Sequence, residues 1–586
     1  MDDAVSALRK YWKYSNFRAP QSRVLKKLLE GHNVVGLLPT GGGKSLCYQI
    51  PALLRPNLTL VISPLIALME DQVAALKRRG ISAERVHSGL SADQIDRILD
   101  NVNYGVVKLL YVSPERLSQP LFISRIKNVT VDLLAIDEAH CISQWGHDFR
   151  PSYLDIGGFR EEIGSPQTIA LTATATLNVL SEIKKYLAIS EAKVVRDSFK
   201  RSNISIRMTA SEDKVGAIVS TMKSTNAKCI IYARSRRVVQ MLASTLRSQG
   251  VNAAHYHAGV SYKAKKKKQE DFISGKLQVV AATNAFGMGI DISDIRQVIH
   301  YDLPPSIEEY FQEIGRAGRD GQDSIALALI SKDDLDFKSS IIRTSFQPFP
   351  DLCTIYGLVH VLGGINLNEG ELSIRDLDID LVSEKSKLPF NNVRAIIKAW
   401  QYLGVFEILE EDKPRTLIKM KMSPRDTRGL EKRLGKAYRL LSDLMRSFEQ
   451  IFDNWVEIDT LAMSKSYKVE ESYLMTRLRF LQKEGAIRIY IQDAGEKILF
   501  KKNRVSQKYL KDYQPKYVQL KLRHEKRWDS MLKLVESTEC RMKYILQYFG
   551  EVEVKPCGQC DNCFKESEQN RANLLIEKQR DINERS

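Results

Sequence analysis

The stretch Gly36–Ala52, "GLLPTGGGKSLCYQIPA", decides how the rest of the chain is read. A phosphate-binding loop follows the rule G-x-x-x-x-G-K-[ST], and Gly43, Lys44 and Ser45 satisfy its end. Leu38 stands where the first glycine belongs. The chemistry asks for less than the rule does. Phosphates need a row of backbone N–H groups, a mobile cation and a hydroxyl for a metal ion. Gly41, Gly42 and Gly43, with Thr40 before them, supply the row; Lys44 supplies the cation and Ser45 the hydroxyl. "NVVGLL" before the loop is a short buried strand, and "SLCYQIPALL" after it starts a helix. A glycine-rich surface turn is the competing reading, and the downstream sequence decides against it.

Outward from this loop, short apolar strands alternate with amphipathic helices to about Ile330. "LTLVISP", "VKLLYVSP", "DLLAIDEAH", "TIALTAT", "KCIIYARS", "LQVVAATN" and "QVIHYDLP" are near-continuous apolar runs, the pattern of parallel strands buried on both faces. Each ends in polar residues, and open α/β sheets bind ligands at such strand ends. After "VDLLAI" come Asp137, Glu138, Ala139 and His140. Asp137 suits a Mg²⁺ ligand, and Glu138 suits a base that orients water toward a γ-phosphate. Far downstream, "YFQEIGRAGRDGQ" holds Gln312 and, three residues apart, Arg316 and Arg319. A guanidinium has the planar fork that matches a phosphate in transit.

The bulk composition agrees with a nucleic-acid partner. The chain has 586 residues, so several domains are expected. It has 88 Lys and Arg against 71 Asp and Glu, a formal charge of +17, which favours a polyanion. No signal core or run long enough to span a bilayer is read, so no membrane partner and a reducing, cytoplasmic and nucleoid-associated setting are expected. Eight cysteines in this length do not make a disulfide framework.

"PTGGGKS", "SPLIALMEDQV", "YVSPERL", "DEAHCISQWGHDFRP", "ALTATAT", "YHAGV", "NAFGMGID" and "QEIGRAGRDG" occur in the order of the RecQ-type helicases of superfamily two, and the chain resembles that family over residues 1 to about 340. The resemblance implies an α/β fold with two RecA-like P-loop domains, 1–200 and 201–340, and ATP with Mg²⁺ between them. It implies that Lys44, Asp137 and Glu138 act from the first domain, while Gln312, Arg316 and Arg319 act from the second, Arg319 being the finger. "KYSNFRAPQ" resembles the family's adenine-recognition segment, with Tyr14 or Arg18 stacking on the base and Gln21 bonding its edge. "SQWGHDFRPSY" places Trp145, His147, Phe149 and Arg150 beside the DEAH box; aromatic platforms beside cations suit single-stranded DNA. "SFKRSN" also matches, with Arg201 and Asn203 in place and Ser202 for the usual proline. "KAKKKK", Lys263–Lys268, is read as a solvated helix face.

Beyond about Asp336 the family's order breaks. Two segments, Ser373–Met422 and Val456–Lys502, form a weak repeat of helix, turn, longer helix and two-strand hairpin, the outline of a winged helix. They are expected as separate domains, 345–425 and 430–505, binding duplex DNA or packing against protein. The second is richer in Lys and Arg (Lys465, Lys468, Arg477, Arg479, Lys483, Arg488, Lys501, Lys502). Tyr509, Tyr513 and Tyr517 are expected on one helix face that Pro515 interrupts. Cys540, Cys557, Cys560 and Cys563 close the chain, in a module at 515–570 before a polar tail, 571–586. Thiolates at C-x₂-C spacing suit Zn²⁺. The run also resembles half an iron–sulfur motif, but Phe564 and Lys565 stand where further Cys and Pro would come. The family resemblance makes the site a structural zinc module. Cys47, Cys141, Cys229 and Cys353 read as small core residues.

The expected activity is therefore an ATP-dependent 3′-5′ DNA helicase working in repair and recombination, on single-stranded and duplex DNA. An RNA helicase, or a DNA-binding regulator or translocase that does not unwind, are the alternatives. A monomer is compatible with the sequence, and protein partners are left open.

Overall fold

The structure is a computed structural model, and it describes residues 1–568 except 40, 88–89, 91, 118, 144–149, 285, 287–291, 411–414, 423–432, 453–454, 468 and 493–495. Thr40, Trp145, His147, Phe149, Lys468 and the tail 571–586 lie outside the described residues. The chain forms two compact units. One joins Met1–Thr344 to Gln519–Ser586, and the other is Ser345–Val518.

The first unit holds two parallel sheets. Strands β1 (Val34–Leu37), β2 (Leu58–Ile62), β3 (Ala83–Val86), β4 (Leu109–Val112), β5 (Val131–Ile136), β6 (Gln167–Thr172) and β7 (Lys193–Arg196) lie in the order β3-β4-β2-β5-β6-β1-β7. Strands β8 (Ile204–Ala210), β9 (Lys228–Tyr232), β10 (Ala253–Tyr256), β11 (Val279–Ala282), β12 (Ile295–His300) and β13 (Ser324–Ile330) lie in the order β10-β11-β9-β12-β13-β8. β1, β2, β4 and β11 are buried at every residue, as a sheet covered by helices on both faces requires. Leu38 is fully buried in the core, so the missing glycine of the phosphate loop is an inward-facing side chain.

The chain returns to this unit through helix Gln514–Glu536. Trp528, Met531, Leu534, Ile545, Leu546 and Phe549 then join the same hydrophobic core as both sheets. Pro515 stands at a break between helices, as the sequence reading has it. It sits in the first turn of helix Gln514–Glu536, where the missing N–H costs nothing. A 3₁₀ turn, Lys511–Tyr513, precedes it, so Tyr509, Tyr513 and Tyr517 do not share one helix. Tyr517 is buried, Tyr513 packs beside it and Tyr509 is exposed.

The second unit corrects the expectation of two consecutive winged helices, 345–425 and 430–505. Its strands are β14 (Ile374–Leu377), β15 (Phe406–Glu410), β16 (Arg415–Met420), β17 (Val456–Ile458), β18 (Ile487–Gln492) and β19 (Glu496–Phe500). Both repeats do form the helix pair: Ile379–Ser386 with Phe390–Tyr402, and Thr460–Tyr467 with Glu471–Lys483. In each, the longer helix is followed by a glycine at positive φ, Gly404 or Gly485. The hairpins do not form. β15 pairs with β19, from Phe406↔Phe500 to Glu410↔Glu496, and β16 pairs with β18, from Arg415↔Gln492 to Met420↔Ile487. The two sheets are β14-β19-β15 and β17-β16-β18, all antiparallel.

The cores follow the strands. Ile498 and Phe500 of the second repeat pack with Leu352, Trp400 and Phe406 of the first. Ile418 and Met420 of the first pack with Leu441, Leu478 and Ile487 of the second. The second body is thus inserted into the first. An alternating pattern specifies which face a strand buries, not which strand it pairs with.

Candidate active site

The phosphate loop joins β1 to helix Leu46–Leu54. Gly41 and Gly43 have φ of +75° and +70°, which a side chain resists. Space forbids one as well: a Cβ on Gly43 would lie 2.4 Å from Gln21 Nε2. Gln21 is nearly fully buried, and its amide donates to the carbonyls of Gly42 and Gly43 at 3.0 and 3.1 Å. Its Oε1 accepts from Arg18 N at 2.9 Å. In this arrangement Gln21 shapes the phosphate loop. Arg18 Nη1 donates to Gly41 O at 2.6 Å, and Tyr14 is exposed nearby in sequence.

β5 delivers the two carboxylates. Lys44 Nζ stands 3.7 Å from Glu138 Oε1. Asp137 is buried, and its Oδ1 accepts from Glu138 N at 3.0 Å. Burial and the adjacent Glu138 charge push the Asp137 carboxyl well above the usual carboxylate range, and Lys44 opposes them. A divalent cation there would supply the missing positive charge. Glu138 itself has φ 46°. A left-handed backbone at a residue other than glycine is strain, of the kind held at functional sites by the surrounding structure.

That structure is a short network. His140 Nδ1 lies 2.9 Å from Thr172 Oγ1 and 3.4 Å from Glu138 Oε2. The "DEAH" and "LTATAT" motifs therefore meet through one imidazole. Tyr153 OH donates to Asp137 O at 3.0 Å, and Arg150 N to Cys141 O at 2.9 Å. Arg150 Nη1 donates to Pro64 O at 2.9 Å. The base of the aromatic-rich loop is thus bonded to the DEAH turn.

The second sheet brings up the arginines. Helix Ile307–Ile314, capped by Ser306 Oγ, carries Gln312 and leads into Arg316 and Arg319. Arg316 is buried beside Tyr232. The stem of Arg319 lies against the phosphate loop, since a Cβ on Gly41 would sit 3.3 Å from its Cγ. Arg201 joins them. Burial lowers its pKa, and so do the Arg319 and Arg18 charges beside it. Arg18 and Arg319 thus meet at Gly41, with Arg201 close enough to feel both charges.

The terminal thiols also gather. The Sγ atoms of Cys540, Cys557, Cys560 and Cys563 all lie within 4.8 Å of one another. Tetrahedral zinc with bonds of about 2.3 Å holds its sulfurs roughly 3.8 Å apart. Backbone N–H groups of Arg541, Lys543, Cys557 and Gln559 point at these sulfurs at 3.1–3.5 Å, which favours thiolates. The donor set fits zinc. The other four cysteines are core residues, three of them buried and Cys353 partly so. Among the described residues no helix is long and apolar enough to cross a membrane.

Comparison with known proteins agrees with this geometry. Residues 18–183 match the DEAD/DEAH box helicase family, 213–321 the helicase conserved C-terminal domain and 501–564 the RecQ zinc-binding family. A probable ATP-dependent DNA helicase RecS of Bacillus subtilis is 38% identical over 348 residues, covering 58% of this chain and 70% of that protein. The chain belongs to the RecQ-type helicases. The ATP-dependent DNA helicases RecQ of Bacillus subtilis and Haemophilus influenzae are 43% and 42% identical. Each alignment covers 58% of this chain, and it spans 58% and 55% of those relatives' own length. The helicase matches end at residue 321 and the RecQ zinc-binding match begins at 501, within the last residues of the second unit, 345–518.

Proposed function

We propose that this RecQ-type chain is an ATP-driven DNA motor. It hydrolyses ATP between its two parallel-sheet domains, moves 3′ to 5′ on a single strand and opens the duplex ahead, in repair and recombination. The observation that carries the reading is the meeting of Lys44, Glu138 and Arg319 at one phosphate loop, from two different sheets.

Each residue then has a task. Lys44 and the loop N–H groups bind the β and γ phosphates; Ser45 and Asp137 would hold a Mg²⁺ ion, which would neutralise phosphate charge. Glu138, tied to Lys44 and His140, orients the attacking water and accepts its proton. Arg319 stabilises charge on the phosphoryl group in transit, with Arg316 and Gln312 behind it. Arg18 and Tyr14 stand at the base-binding edge. Domain closure completes the site and reopening follows hydrolysis, so each cycle can advance the strand. Trp145, His147, Phe149 and Arg150 stack on and pair with that strand, and the anchoring of their loop to the DEAH turn couples the two events. Zinc on the four thiolates holds the C-terminal module together. The basic second body of the inserted unit binds duplex.

Strand separation tests this reading, with duplexes bearing a 3′ tail, a 5′ tail or none. Opening of the 3′-tailed duplex alone, with ATP, is expected. Opening from a 5′ tail, or equal action on RNA, would overturn the direction or the substrate. ATP use on single strands without duplex opening would reduce the motor to a translocase.

A further inference from the structure

The segment between the two sheets, residues 197–203, does more than connect them. From it, Arg201 reaches the loop that carries the arginine finger. Its Nη1 donates to Gly315 O at 3.3 Å, and its Nη2 to Ala317 O and Gly318 O at 3.0 and 2.7 Å. Asn203 Nδ2 donates to Gly318 O and Gln322 O at 2.7 and 2.8 Å, and Asn203 O accepts from Ser324 N at 2.8 Å. The fit is tight, since a Cβ on Gly318 would lie 2.4 Å from Asn203 Nδ2. Four carbonyls of the finger loop, those of Gly315, Ala317, Gly318 and Gln322, thus accept from two side chains; Gly318 O also accepts from Gly321 N and Gln322 O from Ser324 Oγ. Buried carbonyls without partners are costly, so the loop's shape and these donors are linked.

The opposite flank of the same segment is held by the zinc module. The Glu551 carboxylate accepts from Ser198 Oγ and Phe199 N, both at 2.9 Å. Arg196 donates to Phe549 O and Gly550 O, and Ser205 Oγ to Gln559 O. A segment bonded on two flanks is a rigid mount and not a loose tether.

We propose that Arg201 and Asn203 are positioning residues for ATP hydrolysis: they hold the Gly315–Gln322 loop so that Arg319 meets the phosphoryl group in the transition state. The inference rests on the functional reading above. A displacement of about 1 Å at a reacting centre can cost 10²-fold in rate. Arg319 acts on charge that develops only in transit, so its misplacement lowers turnover without weakening ATP binding.

The test uses the full-length chain with Asn203→Ala, Asn203→Asp, Arg201→Lys and, for reference, Arg319→Ala. Turnover of ATP on single-stranded DNA is read beside the affinities for a non-hydrolysable ATP analogue and for ADP–aluminium fluoride, which mimics the transition state. Melting temperature and zinc content report folding. Asn203→Ala and Asn203→Asp, neither of which can donate, are expected to lose roughly 10–100-fold in kcat and in ADP–aluminium fluoride affinity. Their KM for ATP, analogue affinity and zinc content should stay as in the unaltered chain, and their melting temperature should fall by at most a few degrees, the cost of the lost bonds. Arg201→Lys, which keeps a donor and its charge, should lose less. Full turnover in both Asn203 variants would overturn the proposal, and so would equal losses for both nucleotide analogues with a lowered melting temperature. If the unaltered chain does not hydrolyse ATP, or Arg319→Ala is fully active, the functional reading itself falls, and this inference with it.

Discussion

The two units of this molecule carry their information differently. In the unit formed by 1–344 and 519–568, short motifs sit at strand ends, and each motif announces its own chemistry. In the unit 345–518, the sequence repeats a plain helix–helix–strand–strand outline, and the decisive event is an exchange of strand partners. The comparison teaches that a motif is legible when its meaning is local. Gly43, Lys44 and Ser45 make a phosphate-binding pattern through their own backbone and side chains. β16 belongs to the second body only because β18 is there to pair with it.

The largest effects should come from the motif-bearing unit. Arg319→Ala is expected to lower ATP turnover on the order of 10³-fold or more, and Lys44→Ala about as much, both leaving single-strand affinity intact. Steady-state hydrolysis beside a DNA-binding titration checks this; a turnover loss that tracks lost DNA binding would break the assignment. Glu138→Gln should cost roughly 10²–10⁴-fold while ATP still binds. Next comes the metal. Cys557→Ser should lose bound zinc and destabilise the unit by several kcal/mol, because binding energy here is folding energy. Zinc content and a melting curve read it, and a metal-free variant with an unchanged melting temperature would remove the structural role.

Smaller effects test the inserted unit. His360 is fully buried in its first core, with Nδ1 2.8 Å from Tyr356 O, and burial pushes its pKa down to about 4. The unfolded chain binds a proton there near pH 6.5 and the folded chain does not until about pH 4. Stability of this core should therefore fall as pH drops from 6.5 to 4, by up to a few kcal/mol. Hydrogen exchange over 352–406 would show it. His360→Phe, which cannot be protonated, should abolish that dependence. Smallest in energy, but sharpest for topology, is a crosslink. Glu407 and Leu499 are register partners on β15 and β19. The double variant Glu407→Cys with Leu499→Cys should form a disulfide on oxidation, seen as one linked peptide by mass spectrometry. Facing residues of an antiparallel pair are about 4.5–5.5 Å apart at Cα, within disulfide reach. Closed hairpins, β15 on β16 and β18 on β19, would not yield that peptide.

Much of the candidate site could be read in advance, and the misses have physical causes. The strands quoted from the sequence are near-continuous apolar runs, and all appear. β3, β7, β8 and β10, which carry half-exposed or polar residues such as Glu84, Lys193, Arg207 and His255, are not among them because edge strands lack the continuous apolar run; the internal apolar strand β13 is also not among them. Lys44, Asp137 and Glu138 were legible from spacing alone. Gln21 was noticed, but its bonds to the phosphate loop were not, since an amide on a helix names no partner. Arg18, Arg201 and Arg319 each lie in a motif of the sequence, but their conjunction does not, being assembled from three distant segments.

The sequence by itself determined the chemistry: a glycine-rich loop for phosphate, paired carboxylates at a strand end, spaced arginines and a four-thiol set. These depend on residue type and short spacing, which covalent geometry fixes. It also determined the alternation that makes both sheets parallel. Only the tertiary structure decided the rest. It brought Arg319 to Gly41 and set Arg201 and Asn203 under the finger loop. It docked the zinc module on the segment between the sheets and nested one winged body within the other. Those are contacts between residues far apart in the chain. Their free energy comes from burial and hydrogen bonds that exist only once the chain has closed on itself, so no window of sequence contains them.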